Sequence, residues 1–222
     1  MLIAHAPPAA GKSWMSKVFF AASGSEANDT AMKMVWYYNA ALGRPEKRKI
    51  ISRKKGYHGV TMAAASMTAL AYAQDGFGLP LDFVKHTTAP DYYNGAQPGE
   101  SEDQFASRCA DELEALIVAE GPDTVAALFA EPVMGAGGVI IPPKNYFAKI
   151  RAVLEKYDVL LVADEVICGF GRTGNMVHFL EPRGQRRIEV ALAQIVGIAR
   201  QQLQPRGGNR NGEGKGKGDV LF

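Results

Sequence analysis

Short unbroken apolar runs alternate along this chain with longer stretches in which apolar residues recur every third or fourth position. Residues 124–130 and 159–163 are runs of the first kind, each bounded by turn formers and each ending in a carboxylate. A continuous apolar run of that length reads as a strand buried on both faces, as in a parallel sheet. Residues 17–22 (KVFFAA) read the same way, and 49–52 as a shorter strand. Ser23 and Glu26 have capping-box spacing, so a helix is expected to start there. Its stripe is Ala27, Ala31, Met34, Tyr38 and Leu42, and Gly43 and Pro45 end it. Residues 60–71 are rich in small side chains and predict a tightly packed helix. Residues 102–120 predict another, with Phe105, Cys109, Leu113 and Leu116 on one face and Gly121-Pro122 as the stop. After Pro142-Pro143, Phe147, Ile150, Leu154 and Tyr157 mark a last helix before the run at 159. Between 75 and 99 lie Pro80, Pro90, Gly95 and Pro98, which reads as a long surface connection. Alternating strands and helices predict an α/β fold with a mostly parallel sheet and flanking helices.

Composition agrees with a globular chain. The 222 residues are 47% apolar and 22% charged, enough to bury a core. No apolar run reaches membrane-spanning length and the first residues lack a signal-peptide layout, so no membrane partner is expected. Two cysteines, Cys109 and Cys168, make no disulfide framework, and a reduced, cytoplasmic setting is the default. The net charge of +2 hides an asymmetry. From Glu181 onward eight Lys/Arg face four Asp/Glu, giving +4 and leaving −2 on the first 180 residues. The basic character belongs to the tail and does not argue for a nucleic-acid surface on the folded part. Gly11-Lys12-Ser13 invites a phosphate-loop reading, but the motif needs glycine five residues before Gly11, where Ala6 stands.

The candidate chemistry sits where the strands end. In open α/β sheets ligands bind beyond the carboxyl ends of the strands. The run at 17–22 leads into Ser23-Gly24-Ser25-Glu26, a helix start able to offer free N–H groups to an anion. The strand at 49–52 leads into Gly56-Tyr57-His58-Gly59, with an aromatic side chain able to stack on a flat ring. The other two strands end in Glu131 and in Asp164-Glu165. Each feature alone has a plain alternative: an ordinary strand–helix turn, a core tyrosine, a hydrogen-bonding histidine, an aspartate cap. A buried carboxylate still needs a partner. Together the four ends suit a flat ligand, anionic at one end and cationic at a ring atom.

These stretches, SGSEANDT (23–30), GYHG (56–59), EPVMGAGGVII (131–141) and DEVICGFGRTG (164–174), resemble in order and spacing the class III (omega) aminotransferases of fold type I. The resemblance covers residues 18 to about 179 and implies a partial fold type I large domain that binds pyridoxal 5′-phosphate. It further implies phosphate binding by Gly24 and Ser25 and ring stacking by Tyr57 and Val166, with His58 beside them. Asp164 would pair with the ring nitrogen, and Glu131 would hold polar groups and substrate contacts. Arg172 would brace its loop. The implied small molecules are an amine or amino acid and a 2-oxo acid, and the implied assembly is a homodimer.

One departure from the family pattern concerns chemistry. The family's Schiff-base lysine follows the aspartate by a few tens of residues, after another strand. No lysine occurs here between Lys156 and Lys215. The expected organisation is an irregular leader at 1–16, a partial cofactor-binding domain at 17–180 and an atypical tail at 181–222. In that tail, residues 188–203 could form an amphipathic helix, and disorder is expected from about 205. The chain reads as a truncated or frame-shifted member, inactive alone. The alternative is a non-catalytic cofactor-binding partner of a complete subunit.

Overall fold

The computed structural model describes residues 17–174, together with the backbone of residues 8–9, 12–13, 188–192 and 195–196. In chain order the strands and helices are β1 (Pro8–Ala9), β2 (Lys12–Ser13), β3 (Phe19–Phe20), α1 (Gly24–Ala41), β4 (Lys49–Arg53), α2 (Met62–Met67), α3 (Ala71–Gln74), β5 (Val84–Thr87), α4 (Tyr92–Gly95), α5 (Glu102–Glu120), β6 (Val125–Ala130), α6 (Tyr146–Lys156), β7 (Leu160–Asp164), β8 (Ile188–Leu192) and β9 (Ile195–Val196). β1 and β2 form a small antiparallel pair. The remaining strands make one sheet in the order β3-β9-β8-β7-β6-β4-β5. The five strands β5, β4, β6, β7 and β8 run parallel, and β9 is reversed between β8 and β3. No described helix is long and apolar enough to cross a membrane.

Side-chain alternation sorts the sheet's two faces. Leu128, Ala130, Leu161 and Ala163 pack against Phe105, Cys109, Leu113 and Ile117 of α5 and against Tyr146, Ile150 and Leu154 of α6. Ala127, Phe129, Leu160 and Val162 pack against Ala27, Ala31, Met32 and Val35 of α1 and against Met67. All six residues of β6 and all five of β7 are buried. By the same period of two, Glu131 and Asp164 continue the α1 face, whereas Arg53 continues the α5/α6 face.

Four expectations give way. The run at 17–22 is not a buried strand: only Phe19–Phe20 pairs, at the sheet's edge, and Phe20 is 69% exposed. The helix expected over 60–71 breaks after Met67, where the Thr68 hydroxyl turns back to the loop before it. The connection at 75–99 contains β5, which pairs in register with β4. Its turn formers bracket those four residues and hide so short a strand. Residues 188–192 and 195–196 are strands and not part of a helix. Ile188, Val190 and Leu192 are spaced by two, and β7 presents an unfilled edge to them. The expectation of disorder from about 205 lies outside the described residues.

Candidate active site

The site is assembled by the loops that leave the carboxyl ends of β3, β4, β6 and β7. α1 begins with Ser23 as its cap, and the Ser23 Oγ accepts from Glu26 N at 3.2 Å. Glu26 does not close the box on Ser23 itself; its Oε2 accepts from Ala22 N at 2.8 Å. The two N–H groups between them, on Gly24 and Ser25, have no acceptor among the described residues. Gly24 lies close to Val166: a Cβ added there would stand 3.0 Å from Val166 Cγ2. Val166 itself is 42% exposed.

The loop carrying Tyr57 and His58, and the helix α2 that follows it, are bound to α1 by three polar side chains on one helical face. Ser25 Oγ accepts from Val60 N at 3.0 Å, Asn28 Nδ2 donates to His58 O at 2.8 Å, and Asp29 Oδ1 accepts from Ala64 N at 3.1 Å. Thr68 Oγ1, fully buried, accepts from His58 N at 2.7 Å and Gly59 N at 3.2 Å. Gly59 must be glycine. Its φ is +135°, and an added Cβ would overlap Ser25 Oγ and lie 2.8 Å from Ser25 Cα.

Two buried carboxylates complete the arrangement. Glu131 Oε1 accepts from Tyr57 N at 3.1 Å, and Oε2 accepts from Gly135 N at 3.3 Å. Burial pushes the Glu131 carboxyl up from the ordinary glutamate range, and the nearby His58 and Arg53 offset part of that rise. Arg53, fully buried, donates from Nη2 to the Glu131 carbonyl on the opposite side of the strand. Asp164 Oδ2 accepts from Asn28 Nδ2 at 2.8 Å and lies 2.9 Å from His58 Nδ1, while Oδ1 accepts from Val166 N at 3.1 Å. With a carboxylate as its partner, His58 Nδ1 carries the hydrogen. The His58 ring also meets Phe129 edge-on, with centroids 6.4 Å apart.

Gly24, Ser25, Tyr57, His58, Glu131, Asp164 and Val166 thus fall in one connected neighbourhood. Sequence reading overlooked Asn28, Thr68 and Arg53. None of the three carried a signal: Asn28 stands about 100° round α1 from Ala27, off the expected apolar stripe. Arg172 is exposed, and its N–H reaches Gly169 O at 3.5 Å. Neither cysteine has the setting of a nucleophile: burial pushes Cys168 up and Cys109 up to about 11. Cys168 instead joins the two carboxylate loops, accepting from Val133 N at 3.3 Å.

A parallel α/β sheet with helices on both faces, whose strand-end loops converge on a buried aspartate and an open helix start, is of the doubly wound type, a class in which ligands bind at that end of the sheet. The comparisons make that class specific. The family description Aminotransferase class-III matches residues 3–179. Gamma aminobutyrate transaminase 3, chloroplastic, of Solanum lycopersicum is 59% identical over 162 residues, covering 73% of this chain and 31% of that protein. The probable gamma-aminobutyrate transaminase 2, mitochondrial, of Oryza sativa subsp. indica is 61% identical over 162 residues, with 73% and 33% covered. Among solved structures, the omega transaminase from Pseudomonas jessenii in complex with PMP has a TM-score of 0.78 at 52% identity, with 83% of this chain and 43% of that one covered. This chain belongs to the class-III aminotransferase family. It spans about a third of the length of these curated relatives.

Proposed function

We propose that this chain carries the cofactor-binding part of an aminotransferase that moves an amino group from an amine or amino acid to a 2-oxo acid with pyridoxal 5′-phosphate. Family membership supports the reaction class, and the arrangement around Asp164 supports the cofactor. A phosphate suits the two unpaired N–H groups of Gly24 and Ser25 at the positive end of α1. Because Ser25 Oγ already accepts from Val60 N, its own hydrogen is free to donate to an anion. Asp164, 4% exposed, holds three neighbours and keeps acceptor capacity for a cation. The residues fit the group.

When bound, the cofactor supplies an electron-accepting pyridinium ring, which allows an amino group to pass between carbon skeletons. The protein's part is to bind and orient it. Gly24 and Ser25 anchor the phosphate, and Tyr57 and Val166 clamp the ring. Asp164 keeps the ring nitrogen protonated, with His58 beside it. Glu131 fixes the Tyr57 loop by accepting from the Tyr57 N–H. Moving a proton at the reacting carbon requires a positioned base. Residues 157–214 contain no lysine to act as one. The absence of such a group lowers rates by about 10²–10⁴, so the chain alone is expected to bind the cofactor with strongly reduced turnover.

A second reading is favoured by one observation. The family match ends at residue 179, and the first lysine after it is Lys215. A non-catalytic cofactor-binding partner of a complete subunit would have this composition. Equilibrium binding of pyridoxal phosphate tests the shared claim. Asp164→Asn, which removes the charge opposite the ring, is expected to weaken binding by roughly tenfold or more. Equal affinity in the variant and the parent would remove Asp164 from the site.

A further inference from the structure

Asn28 is 2% exposed on α1, among alanines and methionine, yet it is a polar amide. Both hydrogens of its Nδ2 are used, one on Asp164 Oδ2 and one on His58 O, each at 2.8 Å. No other side chain among the described residues donates to both Asp164 and the loop of Tyr57.

The acceptor count on Asp164 gives this bond its meaning. A carboxylate accepts about four hydrogen bonds, two on each oxygen. Oδ2 is filled, by Asn28 Nδ2 and His58 Nδ1. Oδ1 has one donor, Val166 N. Among the described residues the one open acceptor position is therefore on Oδ1, the oxygen tied to Val166. Without Asn28, Oδ2 would have a vacancy as well, and a ring cation would have two oxygens to choose between.

We propose that Asn28 is a positioning residue for the cofactor ring. It fills Asp164 Oδ2 so that Oδ1 alone meets the ring nitrogen. It also ties the main chain of the Tyr57–Gly59 loop to the same carboxylate. With the His58 ring, which meets the same oxygen, Asn28 thereby couples the clamp on the ring face to the charge at the ring edge. Its neighbour Ser25 holds the same loop further along and Asp29 holds α2 after it, so the helix that offers its N-terminus to the anion also carries the loop that covers the ring. The inference rests on the cofactor reading above.

The test uses the full chain and pyridoxamine 5′-phosphate, which has no aldehyde to react with surface lysines. Affinity is measured across neutral and alkaline pH, and the ring nitrogen is followed by ¹⁵N NMR of ring-labelled probe. Two variants are compared with the parent. Asn28→Ala removes both bonds; Asn28→Ser keeps a hydroxyl too short to span both acceptors. Thermal unfolding establishes that each variant is folded, and either one suffices for the test. The expected result is binding weakened by roughly 10- to 100-fold, the scale of a lost hydrogen bond to a charged group, with the bound ring nitrogen losing its proton at lower pH than in the parent. A variant that is merely less stable, with the ring-nitrogen titration unmoved, overturns the inference and leaves the cofactor reading intact. No binding by the parent protein overturns both.

Discussion

At the scale of single residues, polar groups buried beside the sheet decide what the site can do. Glu131 gives a pH signature with a definite sign. Its carboxyl titrates above the ordinary glutamate range because it is desolvated, with Arg53, His58 and Asp164 as its charged neighbours. A folded-state value raised above the unfolded one contributes stability that is complete below about pH 4 and is lost as pH rises through the folded value. The stability advantage of the parent over Glu131→Gln should therefore shrink as pH increases from acid to neutral, as read by urea unfolding at each pH. An advantage that grows with pH would show the carboxyl to be stabilised in its charged form. Gly59 is a steric constraint of another kind. Gly59→Ala puts a methyl group into Ser25 and forces a side chain into φ +135°, so a loss above about 2 kcal/mol is expected in thermal or urea unfolding. A loss below half of that would mean that the loop moves away from α1 freely.

At the scale of elements, the sequence is most legible where burial is complete. β6, β7 and α5 appear close to where the apolar runs and the 3.6-residue spacing put them, because both faces of those strands and one face of that helix meet apolar neighbours. The edges are harder to read. β3 and β5 are short, and pairing on one side gives no clean apolar pattern. The stripe of α1 is rotated from its expected line, since Asn28 and Asn39 are buried with it while Met34 and Tyr38 are only partly covered. Hydrophobic periodicity cannot register a buried amide whose partners come from distant loops, so Asn28 fell outside the candidate site although Ser25 and Asp164 fell inside. Helix ends follow the same rule. Lys47, 4% exposed, donates to Tyr157 O at 2.9 Å and Asp158 O at 3.0 Å at the carboxyl end of α6, where the dipole favours a cation. Lys47→Met should lower stability by about 1.5–3 kcal/mol, the scale of hydrogen bonds to a charged group, as measured by the urea midpoint. An unchanged midpoint would assign that helix end to Arg44, which pairs with Asp158.

At the scale of the whole molecule, several large apolar side chains are left open to solvent. Val60, Met62, Val139, Ile141, Ile167 and Phe170 lie past the ends of β4, β6 and β7, with exposures from 44% to 74%. Exposed apolar side chains of this size can mark association surfaces, and the family resemblance implies a homodimer. Sedimentation velocity should show concentration-dependent self-association; a monomer at all concentrations would argue that these side chains have no partner. The central claim is that Gly24, Ser25, Tyr57, Asp164 and Val166 hold pyridoxal phosphate without a covalent lysine. Borohydride treatment of the loaded full chain, followed by peptide mapping, tests it most directly. The expected outcome is cofactor that dialyses away before reduction and no single lysine labelled after it. A pyridoxyl group trapped on one specific lysine, together with turnover of an amine and a 2-oxo acid, would contradict it.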